Sequence, residues 1–397
     1  MTARRILVTD GEQRAALAVV RSLGKAGHHV QVCSTRGRSL AGASRFSRGE
    51  SRVPDALAGA ERFSDSIVAL ARKDRIEVLL PITDASLLAL LPERERLSGI
   101  CVPFADAETH RAISDKGRLL EIAQSLGISV PEQRRINAPD EWGEIDPGSL
   151  IFPIVLKPSR SVADSGNGLV KLSVRHASSA SQLQDRIKSL DAAAYPLLVQ
   201  QRIIGPGSGI FILLWDDELL ATFAHRRIRE KPPSGGVSVY RESIPADPKL
   251  VALSRALLAH FAWRGVAMIE YKVDAASGKQ YLMEINGRFW GSLQLATDSG
   301  VDFPAQLVAA ALGENPAPVS DYRIGVRSRW WWGDVDHLLA RVRRSNQALA
   351  LPPGAPSRLG AVRDFLAIWR PGDRNEILRL EDPAPFWLET TEWFRGR

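Results

Sequence analysis

Cysteine is almost missing from this 397-residue chain: Cys33 and Cys101 are the only two, and both lie in apolar runs that read as buried strands. A disulfide framework and a cysteine-built metal knuckle are therefore excluded, and the composition suits a reducing cytosol. Lysine is scarce too, 10 residues against 42 Arg, so each lysine position carries more information than usual. No window approaches the roughly 18 apolar residues of a membrane span, and the opening MTARRILVTDGEQ turns polar too early for a signal peptide. A cytoplasmic protein with no membrane contact is expected.

Familiar catalytic motifs are absent as well. Gly11 follows the first apolar run, but TDGEQRAALA lacks the second and third glycines of a dinucleotide loop. Gly24-Lys25 and Gly278-Lys279 are not followed by Ser or Thr, which excludes a Walker A loop. No zincin helix, nucleophile elbow or protein-kinase signature occurs, and the seven histidines are dispersed.

What is present is an ordinary globular composition, 45% hydrophobic and 24% charged, with a net charge of +7. The basic residues are scattered and no RNA or DNA module is found, so nucleic acid is not an expected partner. Short apolar runs alternate with helical periodicity from Arg5 to Phe104, which predicts an open, mostly parallel sheet wrapped by helices. One long helix is expected over Ala107 to Leu126, stopped by Gly127 and Pro131. Strands dominate from Phe152 onward, a helix is expected near Pro304 to Leu312, and Asn315-Pro316-Ala317-Pro318 reads as a linker. The remaining Arg- and Trp-rich tail is expected to be an appended helical element whose tryptophans pack on the preceding lobes; a lipid-facing role for Trp330-Trp331-Trp332 is the competing reading.

The strongest chemical signal is Met268-Ile269-Glu270-Tyr271-Lys272 followed by Tyr281-Leu282-Met283-Glu284-Ile285-Asn286-Gly287-Arg288. Strand alternation puts Glu284, Asn286 and Arg288 on one face, and a turn at Ser277-Gly278 returns Glu284 beside Glu270. Two carboxylates and an amide oxygen suit Mg²⁺, which takes oxygen ligands and leaves room for phosphate. Arg288 is placed to stabilise developing negative charge. A solvated hairpin is the competing reading; the strongly apolar neighbours favour central strands, where unpaired acids are costly. Lys157 ends the run Ile154-Val155-Leu156 beside a small-residue stretch, Ser159 to Gly168, whose backbone N–H groups can fold over phosphate. Lys116 by itself reads as a solvated helix lysine.

In this order the residues resemble the ATP-grasp superfamily, the broad group of carbamoyl-phosphate synthetase, biotin carboxylase and carboxylate–amine ligases. The resemblance covers about residues 1 to 313 and rests on Asp115-Lys116 with Gly127 to Pro131, Pro153 to Pro158, the glycine-containing loop, Val199-Gln200-Gln201, Glu270, and Glu284 to Arg288. It implies α/β and α+β architecture: a preATP-grasp Rossmann-like domain (1–106), a small ATP-grasp lobe with a linker helix (107–198), a large lobe with the metal site (199–319) and a C-terminal helical extension (320–397). It further implies ATP and Mg²⁺ (or Mn²⁺), two ions, as cofactors. Lys116, Lys157 and the loop residues Ser165, Gly166 and Gly168 would contact phosphates, and Gln200, Gln201 and Ile203 the adenine hinge. Glu270, Glu284 and Asn286 would hold the metal, with Arg288 and either Arg226 or Arg229 at the reacting phosphate. The loop departs from the usual Gly-Gly-x-Gly form, and glutamine stands where many relatives have Glu at the hinge.

The implied reaction is ATP-dependent joining of a small-molecule carboxylate, activated as an acyl phosphate, to an amine or thiol. Carboxylation or phosphoryl transfer of the carbamoyl-phosphate-synthetase type is a second reading, and a non-catalytic nucleotide-binding regulatory or membrane-surface protein a third. Phe289-Trp290 reads as a bulky wall beside the site, with Ser292 or Gln294 as polar contacts; a homodimer stays open.

Overall fold

The structure, a computed structural model, describes residues 2–164, 168–351, 354–367, 370 and 372–396. A parallel sheet in the order β3-β2-β1-β4 opens it, from β1 (Arg5–Val8), β2 (His29–Ser34), β3 (Ser47–Arg52) and β4 (Val78–Leu80). Ile6, Leu7 and Val8 are fully buried, as strands covered on both faces require. The edge strand β3 has no apolar pattern to announce it; its sequence is SRGESR, and backbone pairing alone defines it. Ile100 to Phe104, expected as a strand, contributes only one bridge, Val78 to Cys101.

The helix expected over Ala107 to Leu126 is two helices, Ala107–Ser114 and Lys116–Ser125. Asp115 between them is extended, and its carboxylate accepts the amides of Gly117 and Arg118, capping the second helix. That break places Lys116 at the first helical position, where its own amide donates to the Ser159 carbonyl at 2.9 Å. An interrupted helix thereby turns a surface lysine into a buried one, 5% exposed.

The next sheet is antiparallel in the order β5-β10-β6-β9, built from β5 (Gln133–Ile136), β6 (Ile154–Pro158), β9 (Arg175–Ala177) and β10 (Leu197–Gln201), with a small hairpin of β7 (Val162–Asp164) and β8 (Leu169–Lys171) beside it. The largest sheet has the order β15-β14-β11-β12-β13-β16-β17, from β11 (Gly207–Trp215), β12 (Glu218–Lys231), β13 (Val237–Ser243), β14 (Gly265–Val273), β15 (Gln280–Asn286), β16 (Arg327–Arg329) and β17 (Asp373–Asn375). Its apolar face packs on helices Pro248–His260 and Lys116–Ser125, burying Ile210, Ile212, Ile269 and Leu282.

The tail corrects the expectation of a purely helical appendage. It contributes helices Trp331–Arg343, Arg358–Leu366 and Ala384–Arg395, but also β16 and β17, which extend the largest sheet. It is also clamped to the N-terminal sheet's helix Arg14–Lys25. Arg21 pairs with Asp382 at 2.8 Å with both side chains buried, and Arg14 pairs with Glu376 at 2.6 Å. The tryptophans serve packing: Trp332 stacks on Trp393 at 4.1 Å, and Trp330 donates its indole N–H to Glu389. Among the described residues no helix is long and apolar enough to cross a membrane.

Burial pushes Glu389 up to about 7 from 4.5, with the Trp330 hydrogen bond and the Arg14 charge working against the rise. The folded chain thus keeps a proton that the unfolded chain has lost, so this contribution to stability is full below about 4.5 and is lost as the pH rises through about 7. Glu389→Gln is expected to unfold at a higher temperature than the parent at pH 8, and the gap to close towards pH 5; thermal unfolding at both pH values checks it.

Candidate active site

Strand register builds the site. Glu270 pairs with Glu284 across β14 and β15, Gly209 of β11 pairs with Glu270, and His225 of β12 pairs with Gly209. The row across the sheet therefore reads His225, Gly209, Glu270, Glu284. Gly209 leaves a gap in it: a Cβ there would lie 2.9 Å from the Phe211 ring and 3.4 Å from His225 Nε2. Two residues earlier, Gly207 lets the Arg227 side chain cross the strand, since a Cβ would stand 2.7 Å from Arg227 Cδ. Arg227 then pairs with both Glu270 and Glu230.

The opposite wall comes from the smaller sheet and the interrupted helix. Lys157 of β6 donates to the Met283 carbonyl at 3.1 Å and lies 3.8 Å from Glu284 Oε2. Lys116 lies 3.4 Å from the same carboxylate oxygen and donates to Ser161 Oγ at 2.9 Å. A cleft of about 640 Å³ runs between the walls, lined by both lysines, Glu270, Glu284, Asn286 and Arg288. The helix Asp84–Leu90, which follows β4 of the N-terminal sheet, reaches in through Asp84, which accepts from Arg288 Nε at 2.9 Å, while Arg288 Nη2 donates to Asn286 Oδ1 at 3.2 Å.

The remaining sequence candidates divide. Gln200, Gln201 and Ile203 line the cleft, but the Gln200 amide already donates to Gln133 Oε1 at 3.0 Å. Gly168 stands against the Leu57 carbonyl with φ +129, and Ser165 and Gly166 lie outside the described residues. Arg226 and Arg229 do not face the cleft: Arg226 points to the other face of β12 and pairs with Glu242, and a bulge around Ile228 sends Arg229 to Asp334. Arg227 occupies the place expected for one of them. The strand continues to Lys231, and parity puts residues 225 and 227 on the cleft face. The apolar run from Leu219 predicts a strand only as far as Arg226, one residue short of this signal; His225, Asp84 and Arg14 also escape a sequence reading, because their places depend on neighbours distant in sequence.

Burial works against ionisation of Glu284, but Lys116 and Lys157, with the Asn286 hydrogen bond and the Arg227 charge, hold it down to about 2. Glu270 moves the other way: burial raises it, and the adjacent Glu284 charge adds to the rise against Arg227. Burial lowers Lys157, with Glu284 opposing. Among the described residues no three His, Cys, Asp or Glu side chains converge as a closed metal cage. The oxygen set is two neighbouring carboxylates in mutual repulsion plus one amide, which fits a hard divalent cation that takes further ligands from phosphate.

Residues 193–331 match the family described as "ATP-grasp in the biosynthetic pathway with Ter operon". A Streptomyces coelicolor protein provisionally named D-alanine–D-lactate ligase is 27% identical over 191 residues, 44% of this chain and 51% of that protein. The chain thus spans about half the length of the curated relative it matches. An L-amino acid ligase from Bacillus licheniformis superimposes with a TM-score of 0.61 at 16% identity, over 79% of this chain and 76% of that one. Campylobacter jejuni biotin carboxylase superimposes with a TM-score of 0.65 at 15% identity, over 82% and 74%. At these identities the solved structures speak to the fold.

Proposed function

From a chain with the ATP-grasp fold, we propose an ATP- and Mg²⁺-dependent ligase that joins a small-molecule carboxylate to an amine. A carboxylate oxygen forms a bond to the γ-phosphorus while the bond to the β-phosphate oxygen breaks, giving an acyl phosphate and ADP. The amine nitrogen then bonds to the acyl carbon, phosphate leaves with the C–O electron pair, and the nitrogen loses a proton. The observation that carries this reading is the register pairing of Glu270 with Glu284, beside Asn286 and facing Lys116 and Lys157.

Lys116 and Lys157 exchange Glu284 for phosphate oxygens, which frees that carboxylate for cation binding with Asn286 and with the Glu270 oxygen that Arg227 does not hold. Mg²⁺, two ions in this proposal, neutralises and orients the phosphates when bound. Arg288, oriented by Asp84, and Arg227, oriented by Glu230 and Glu270, meet the charge that develops at the transferred phosphoryl group. The β10 backbone past Gln200, with Gln201 and Ile203, takes the adenine. No protein nucleophile is needed. The free thiols of Cys33 and Cys101 suit a cytosolic setting.

The test is ADP release from Mg-ATP with pooled small carboxylates and amines, singly and in pairs. Release that needs both pools and falls at least about 100-fold in Glu284→Gln is expected. Release unchanged in that variant sinks the site assignment, and release driven by bicarbonate alone moves the reading to carboxylation.

A further inference from the structure

The cleft extends past the reacting centre to Arg14, Trp290, Gly291 and Ser292. We infer that this far end is a subsite for a second, non-reacting carboxylate of the substrate pair, gripped by Arg14 with the buried N–H donors of His225 and Trp290, and that the C-terminal segment sets Arg14 in place. The inference rests on the ligase reading and adds a substrate class to it.

Arg14 belongs to the first turn of helix Arg14–Lys25, whose N-terminus carries no side-chain cap. Its Nη1 donates to Glu376 at 2.6 Å, and its guanidinium lies 4.0 Å over the Trp330 ring. Its Nη2 has no hydrogen-bond partner among the described residues and sits 2.8 Å from where a Cβ on Gly291 would stand. A glycine therefore leaves the space that Nη2 occupies, while two tail residues hold the other side of the group. The side chain is 12% exposed, so the contacts restrict it to one position beside the cleft.

His225 and Trp290 point to a ligand independently. His225 is fully buried with both ring nitrogens unpartnered, and the Trp290 indole N–H, 2% exposed, is unpartnered too. Both rings pack on Phe211, with centroids 4.7 and 4.5 Å away, and both residues line the cleft. Buried donors without partners are rare because each forfeits its hydration, so two in one lining call for an acceptor. Burial, with the charges of Arg227 and Arg241, keeps His225 neutral, leaving it one N–H to donate.

The charge selects the acceptor. Arg14 and Arg241 share the carboxylate of Glu376; of the other acids near them, Glu389 is held up to about 7 by burial and Asp298 pairs with Arg379, so the Arg14 guanidinium is only partly neutralised. A carboxylate accepts only and carries the matching charge; an amide offers one oxygen without the charge, and an ammonium repels the guanidinium. The carboxylate comes either from the acid, as a dicarboxylate, or from the amine, as an amino acid.

The experiment measures ADP release with Mg-ATP using paired probes: succinate and glutarate against their half-amides in one arm, and L-amino acids against the corresponding decarboxylated amines in the other. In one arm the carboxylate probe is expected to exceed its neutral partner at least about tenfold in kcat/KM, which identifies the source. Arg14→Gln is expected to raise KM for that probe about 10- to 100-fold, with kcat held within about threefold and the neutral partner unaffected; Arg14→Lys restores part of the loss. Trp330→Leu, removing a positioning residue, is expected to give a smaller shift in the same KM with the same kcat split. If Arg14→Gln fails to fold, Gly291→Ala, which displaces Nη2 and keeps the ion pair, is expected to give the KM shift. No preference for a carboxylate in either arm, or equal losses for both members of a pair, overturns the inference. Glu284→Gln run in parallel separates the two readings: if that variant keeps ADP release the ligase reading fails, whereas a dead Glu284→Gln beside an indifferent Arg14→Gln removes only the subsite.

Discussion

Lys157→Met is expected to lower substrate-dependent ADP release by about three orders of magnitude while the melting temperature stays level or rises. The two effects separate because the lysine has different partners in folding and in the proposed reaction. In the folded chain the residue is 8% exposed, and its ammonium donates to one carbonyl and lies 3.8 Å from Glu284. Burial disfavours that charge, and methionine fills similar volume without needing solvation. Glu284 keeps Lys116 at 3.4 Å, so it is not stranded. In the proposed nucleotide complex, by contrast, the ammonium would face phosphate charge that a thioether cannot neutralise. A coupled ADP assay and a thermal melt on the same preparation check both halves. Full activity would remove Lys157 from the phosphate site, and an unfolded variant would make its bond to Met283 a joint between the lobes.

Glu376→Ala is expected to cost about 3–5 kcal/mol of stability, measured by urea unfolding. Glu376 follows β17, is 2% exposed and pairs with Arg14 at 2.6 Å and Arg241 at 2.5 Å. Arg241 is fully buried on β13, so losing the carboxylate leaves a guanidinium without its counter-charge inside the protein. Burial opposes the Glu376 charge, but Arg14 and Arg241 outweigh it and lower its value, so this contribution is present at neutral pH and lost under acid. Arg4 with Glu77 is the control: both side chains are about one-third exposed, and Arg4→Ala is expected to cost under about 1 kcal/mol. A loss no larger than the control would mean that the tail is held by its other contacts.

Much of the candidate site was legible because its signals are local. The Glu270–Glu284 pairing follows from two alternating strands and a short turn, and Lys157 from an apolar run ended by proline. Lys116 was legible only through the family resemblance, since its burial depends on Asp115 capping a new helix and on the Ser159 carbonyl beyond it. The choice among Arg226, Arg227 and Arg229 depended on where β12 ends and on a bulge; one residue of error reverses the face. Strands β3, β16 and β17 have no apolar alternation, so only their pairing partners reveal them.

By itself the sequence determined the alternating N-terminal architecture, the strand-rich lobes after it and the acidic hairpin, because periodicity, turn chemistry and strand parity act over a few neighbouring residues. Tertiary structure alone decided that Arg227 rather than Arg226 or Arg229 faces the cleft, that Asp84 and Arg14 reach it from the helices that flank the N-terminal sheet, and that the tail closes around Arg14. Those placements come from cross-sheet rows, a bulge and ion pairs between residues hundreds of positions apart, and no local rule encodes them.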